Sequence, residues 1–177
     1  MAGKTRVAQY QADRTNQKLY FCRLACKAAQ DAENKQLYQA DCETAIFHLQ
    51  GALLAFLQEL SHYYGLSAVQ PTLESIKREL SERTQISPEI LQLEQLLQNG
   101  FLAEVMRAYE RCQYAPKPDA VVGMMTPEAG AKQSSSDLIV NVVTLSNQWL
   151  PDDATIREWR QQFLDLIEQL RGGMAEY

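Results

Sequence analysis

The side chains best equipped for chemistry in this chain are two histidines, His48 and His62, and four cysteines, Cys22, Cys26, Cys42 and Cys112. The histidines fall on one apolar stretch, about four helical turns or ~21 Å apart at ~1.5 Å per residue, so they cannot share a metal ion. Glu59 and His62 form the Glu-x-x-His pair that gives ferritin-like bundles two ligands of a di-iron centre. That centre needs a second pair on another helix. Ala45 stands where a carboxylate would have to precede His48, and there is no third histidine. His62 therefore reads as a residue near a helix C-terminus, placed for the dipole.

Cys22 and Cys26, at i and i+4, share a helix face. Folding the chain back near Lys35 sets Cys26 level with Thr44 and Cys22 level with His48, with Cys42 on the same side. Cys22, Cys26, Cys42 and His48 then make a candidate set of three thiols and one imidazole, which suits zinc or copper(I). The competing reading is that the cysteines are small core residues. Their number and spacing are not those of a disulfide framework in a small secreted domain.

Nucleophilic catalysis finds little to work with. There is no G-x-S-x-G, no P-loop and no G-x-G-x-x-G, and Ser134 to Ser136 have no histidine near them in sequence. The "GAKQSSS" beginning at Gly130 lacks the Gly-Lys-Ser/Thr order that sets a lysine on a phosphate. Helical ribonucleases of the HEPN group carry an arginine four to six residues before a histidine. Here Cys42, Glu43 and Thr44 precede His48, and Phe56, Leu57 and Gln58 precede His62, so that motif is absent. Tyr63, Tyr64, Tyr109, Tyr114, Trp149 and Trp159 are numerous enough to line a pocket, although aromatic residues at helical spacing are more often core.

A polar run remains, "DRTNQKLYF" at residues 13–21. Arg14 and Lys18 share one helix face, Asn16 and Tyr20 follow another, and Gln17 continues toward Phe21 on the stripe read as buried. Arg14, Asn16, Gln17, Lys18 and Tyr20 are the candidate binding residues, lining a polar groove. A buried Gln17 amide needs a partner, because leaving it unpaired costs ~1–3 kcal/mol. The irregular segment at about 115–150, where it crosses the first helix, is the expected partner.

The charge surrounding this run is uneven. Residues 1–35 hold seven cations against three anions, a net +4, which leaves −9 for the rest of a chain whose total is −5. A net-acidic protein is a poor general nucleic-acid binder, because phosphate contacts dominate that affinity. The basic first helix keeps a weak interaction open. No stretch has signal-peptide character or approaches the ~18–20 apolar residues of a membrane span, so no membrane association and a cytoplasmic location are expected.

Positioning these residues requires helices. At 177 residues, 46% hydrophobic and 22% charged, the chain is long enough for one core without staples, and residues 1–177 read as a single domain. One long helix is expected from about Thr5 to Lys35, with Phe21, Leu24, Ala25, Ala28 and Ala32 as its buried stripe. A central second helix runs from about Gln36 to Tyr64, with Gly65 as its left-handed cap and a stripe of small residues, Gly51 and Ala55 beside Thr44, open to a close neighbour. Pro71 opens a short helix ending near Arg83. Ser87 and Pro88 open the next, which reads as a single helix through Tyr109, bent at Asn99-Gly100. After Pro151 a last helix bears Ile156, Trp159, Phe163, Leu166, Ile167 and Leu170 and ends at Gly172-Gly173. Between them, the segment at about 115–150 reads as non-helical: TPEAGAKQSSS as a mobile loop, with extended pieces at 121–125 and 138–143 laid on the bundle.

The stretch TNQKLYFCRLACKAAQDAE (15–33), the later "DLIV" and the Trp/Phe-bearing last helix resemble a family of short all-helical gammaproteobacterial proteins of unknown function. In that family a Thr-Asn-Gln-Lys-like run followed by Tyr-Phe recurs near the N-terminus. The resemblance implies no catalytic residue. The sequence therefore leads to an all-α bundle of four or five helices, with the irregular segment on one side. Its expected role is that of a non-enzymatic interaction or structural protein, whose partner is another protein or a second copy. A ligand- or metal-binding bundle and a weak nucleic-acid binder are the alternatives, and no motif requires a cofactor.

Overall fold

The computed structural model describes residues 2–67, 69–114 and 150–175, with side chains from residue 13 to 174 within those spans. The described chain is all-helical: α1 (Ala2–Gln30), α2 (Lys35–Tyr63), α3 (Leu73–Glu82), α4 (Pro88–Asn99), α5 (Phe101–Gln113) and α6 (Asp153–Ala175). The irregular segment expected at about 115–150, its loop, its two extended pieces and Trp149 lie outside the described residues, save Leu150.

The short link after α1 forces α2 to return antiparallel along it. Asn34 ends that link as the N-cap of α2, its side chain accepting from the Leu37 amide at 2.9 Å. Beyond α2, Gly65 takes a positive φ of +61°, as a left-handed cap requires. α3 begins after a reciprocal capping box between Thr72 and Ser75. Pro71 thus sits before the cap, one step outside the helical turn expected for it. Ser87 caps α4 and Pro88 takes its first turn, as their order implies.

Two helices replace the single bent one expected after Ser87. Gly100 is extended, with φ −116° and ψ −169°, and serves at once as the C-cap of α4 and the N-cap of α5. A Cβ there would stand 2.7 Å from Leu96 Cδ2 and 3.0 Å from the Leu96 carbonyl oxygen, so the break needs glycine for space. The last helix also departs from expectation, passing through Gly172-Gly173 to Ala175. Met174 is buried there, and its carbonyl accepts from the Tyr63 hydroxyl at 3.1 Å, which holds the final turn against α2.

α1 and α2 pack along their lengths, α6 lies against both, α5 covers α2 and α6, and α4 and α3 follow outward from α5. Phe56, Phe163, Ile46, Leu49, Leu60 and Ile167 fill the centre. The start of α6 is tied to the α1–α2 turn by one carboxylate: Asp153 accepts from the Tyr38 hydroxyl (3.2 Å), Gln30 (2.9 Å) and Arg157 (3.0 Å). Burial pushes the Tyr38 phenol up to about 12, so it stays a donor. Among the described residues no helix is long and apolar enough to cross a membrane.

Candidate functional site

α1 buries only part of the stripe expected for it. Its inward residues are Thr15, Leu19, Cys22, Ala25, Cys26 and Ala29, while Leu24 is 44% exposed, Ala28 is exposed and Phe21 is half-buried. The rotation has a steric cause. α1 is clamped between α2 and α6, and only small side chains let three backbones approach closely. Hydrophobicity alone favours Phe21 and Leu24; close packing selects cysteine and alanine.

That rotation divides the polar run between an interior joint and the outer face. Thr15, fully buried, donates to Glu59 Oε2 at 3.2 Å. Arg171 of α6 holds the same carboxylate in a two-point grip, Nε to Oε1 at 2.7 Å and Nη2 to Oε2 at 2.8 Å. Its Nη1 donates to Asn16 Oδ1 at 3.0 Å. Thr15 and Asn16 are therefore part of the joint between α1, α2 and α6. Glu59, weighed in sequence as an iron ligand, is the centre of that joint. His62, its supposed companion, is exposed.

Gln17 is exposed, contrary to its expected place on the buried stripe, and its carbonyl accepts from Arg14 Nη1 at 2.5 Å. The partner it needs is thus on its own helix. Lys18 lies across α2, where a Cβ on Gly51 would meet its Cδ at 3.2 Å. The small residue in α2 accommodates this lysine stem. Tyr20 is 46% exposed, with the Arg23 guanidinium 5.0 Å from its ring centroid.

The same rotation separates the proposed metal ligands. Cys22 and Cys26 face inward and share a hydrogen bond, and Cys42 is buried beside Tyr38. His48 is level with this stretch, as the register implies, but lies outside the core with its ring 5.4 Å from that of Phe21. Among the described residues no three His, Cys, Asp or Glu side chains gather closely enough to hold a metal ion. Cys22, Cys26, Cys42 and His48 are accordingly not one ligand set.

The thiols differ in character. The hydrogen bond to Cys26 and burial push Cys22 well up, while accepting that bond brings Cys26 down. Burial raises Cys42 to about 11 and Cys112 to about 12, which leaves both as poor nucleophiles. Burial, with Lys18 and Arg14 nearby, lowers the His48 pKa and favours a neutral ring. Neither histidine hydrogen-bonds a hydroxyl, thiol or carboxylate among the described residues. The aromatic residues are dispersed: Trp159 is buried with its indole N–H on Glu104 at 3.1 Å, Tyr109 meets Phe47 edge-on, Tyr63 meets Tyr64, and Tyr114 is exposed.

What remains outside is a face. Between α1 and α2 runs a groove of about 290 Å³, lined by Phe21, Leu24, Ala25, Ala28, Asp41, Thr44 and His48. By helical periodicity, Arg14 and Lys18 flank the Tyr20–Leu24–Phe21 strip on one edge, and Arg23 and Lys27 flank it on the other. None of these four cations has a carboxylate partner among the described residues. The basic balance of this helix is legible in the sequence, but the strip is not, because apolar periodicity assigns Leu24 and Phe21 to the core. A second apolar groove of about 320 Å³ lies between α3 and α4, with Leu80 and Ile90 at its base and Ile86 83% exposed at its rim.

Comparison with known families bears out the resemblance at family level. The model of DUF6586, a family of unknown function, matches residues 10–177. No curated protein and no solved structure matches the chain.

Proposed function

The chain belongs to the DUF6586 family, and we propose that it acts there as a non-enzymatic protein-interaction module that docks a partner on the outer face of α1 and α2. One observation carries the reading. Arg14/Lys18 and Arg23/Lys27 are both like-charged i,i+4 pairs, flanking an apolar strip exposed at Tyr20 and Leu24. Each such pair costs an isolated helix roughly 0.2–0.5 kcal/mol. Elsewhere the same spacing sets Glu79 against Arg83 at 2.6 Å and Asp153 against Arg157 at 3.0 Å, and the one other like-charged cation pair, Arg107 and Arg111 of α5, shares its groove with Glu104. Lys27 also stands in the last turn of α1, where the helix dipole favours a cation, but the Arg14/Lys18 repulsion beside exposed leucine and tyrosine has no use on a surface serving stability alone. On a docking surface it has one, because a partner supplies both the missing counter-charge and the missing apolar cover.

The four free cysteines suit a reducing compartment, and we place the interaction in the cytoplasm. Purification of the tagged full chain from native lysate, beside Leu24→Asp, tests the reading. A protein recovered in fixed ratio with the parent and lost from a folded Leu24→Asp variant is the expected result. Recovery of the parent alone and monomeric would overturn it.

A further inference from the structure

We infer that the occupant of this face is an acidic amphipathic helix of a partner protein, lying along the α1–α2 groove with carboxylates on both sides of its apolar ridge. The inference rests on the docking reading above and adds the chemistry of the partner.

Shape argues for a helix. The floor of the groove is small, with Ala25 and Ala28 from α1 and Thr44 from α2, so another backbone can come close, while Phe21 and Leu24 offer apolar contact. Lys18, crossing Gly51, closes one end. Arg14 to Lys27 spans roughly 20 Å of α1, which a helix of about four turns matches with anchors at i, i+3 or i+4, and i+7.

Charge argues for acid on two flanks, because the unpaired cations stand on both edges of the strip. A nucleic acid fits less well. The centre of the face is apolar, where a phosphate backbone needs cations, and Asp41 lines the groove. A second copy of this chain also fits poorly. Three of the five carboxylates of its α3–α4 pair are already engaged, Glu79 by Arg83, Glu89 by Tyr64 and Glu94 by Lys77, so that pair offers only Glu74 and Glu82.

His48 makes the interaction pH-dependent. Facing it are Arg14 and Lys18 from α1, with Asp41 on its own helix at the far end of the groove. Burial and those cations lower its pKa in the free protein. Carboxylates arriving beside Arg14 and Lys18 offset the cations and favour the imidazolium, and where this exceeds the cost of the further burial that a docked helix imposes on His48, the complex binds more protons than its parts. Affinity then rises as pH falls from about 7.5 to about 6, above the range where glutamates protonate.

The test uses the full chain and two synthetic peptides of about 18 residues with leucines at i, i+3 or i+4, and i+7. One carries glutamate on both flanks, the other lysine. Vesicles of phosphatidylglycerol and a single-stranded RNA are the remaining probes. The acidic peptide is expected to bind and the lysine peptide not to. Binding should weaken roughly tenfold or more with Arg14→Glu/Lys18→Glu, and again with Lys27→Glu on the opposite edge. Between about pH 7.5 and 6, affinity should rise severalfold for the parent and stay flat for His48→Gln. Equal binding of both peptides, preference for vesicles or RNA, or self-association that these substitutions abolish would overturn the acidic helix. A partner lost from Leu24→Asp in lysate together with silence toward the acidic peptide would sink this inference alone. No Leu24-dependent partner would sink the docking reading as well.

Discussion

At the scale of single residues, the polar run is split between an interior joint and the outer face, and a rotation of α1 by about one residue divides it. Thr15 and Asn16 belong to the Glu59–Arg171 joint, while Gln17 and Lys18 belong to the outer face. Sequence marked these residues as unusual without assigning their partners, because Glu59 and Arg171 are distant in the chain and meet only through the packing of α6. With side chains only 11% and 25% exposed, the ion pair is shielded enough for its loss to matter. Glu59→Gln is expected to cost ~2–3 kcal/mol in urea denaturation, since it strands a guanidinium against a partly dry surface. Thr15→Val should cost about 1 kcal/mol or more, through loss of its hydrogen bond to Glu59. His48 sets a pH dependence of stability in the unbound protein. Its folded pKa lies below the unfolded value of 6.5, so the unfolded chain takes up a proton first. Stability attributable to His48 is complete above about pH 6.5, falls as pH drops toward the lower folded pKa, and is level below it. A midpoint series over that window should slope for the parent and flatten for His48→Gln.

At the scale of elements, helix existence was largely legible because local signals coincided with apolar periodicity. Asn34, Gly65, Thr72, Ser87 and Pro88 each perform the cap or turn role open to their type. Three boundaries differ from the sequence reading: α1 ends at Gln30 instead of near Lys35, because Asn34 caps the start of α2, and the other two differ for tertiary reasons. Leu97, Phe101 and Val105 hold helical phase across Gly100, yet periodicity carries no information on the backbone at the glycine itself. Gly172-Gly173 looks like a terminus, but docking of Met174 and Tyr63 carries the helix through it. The tight space at Gly100 gives a direct check. Gly100→Ala forces Leu96 aside and is expected to cost ~1–2 kcal/mol, with little change in the denaturant slope. An unchanged midpoint would mean that α4 and α5 join more loosely than their caps imply.

At the scale of the whole molecule, the uneven charge already visible in sequence acquires a place: a net-acidic bundle keeps unpaired cations on one outer face. If that arrangement exists for binding, free protein and complex must respond oppositely to repairing it. Lys18→Glu converts the Arg14 pair to opposite charge, and Lys27→Glu does the same for Arg23, following the spacing of Glu79 with Arg83. Lys18→Glu should stabilise the free chain by about 0.4–1 kcal/mol, half from removed repulsion and half from new attraction, whereas for Lys27→Glu the same gain is offset because Lys27 stands in the last turn of α1, where the helix dipole favours a cation. For a chain of this size the Lys18→Glu gain raises Tm by roughly 1–4 °C, and added salt should shrink it. The same substitutions should abolish partner binding. A thermal melt and a binding isotherm on the same preparations separate the two readings, because cations serving only solubility leave the second measurement unmoved. Loss of stability in the repaired variants would show that Lys18 and Lys27 contribute more through their aliphatic stems, Lys18 over Gly51 above all, than their charges cost.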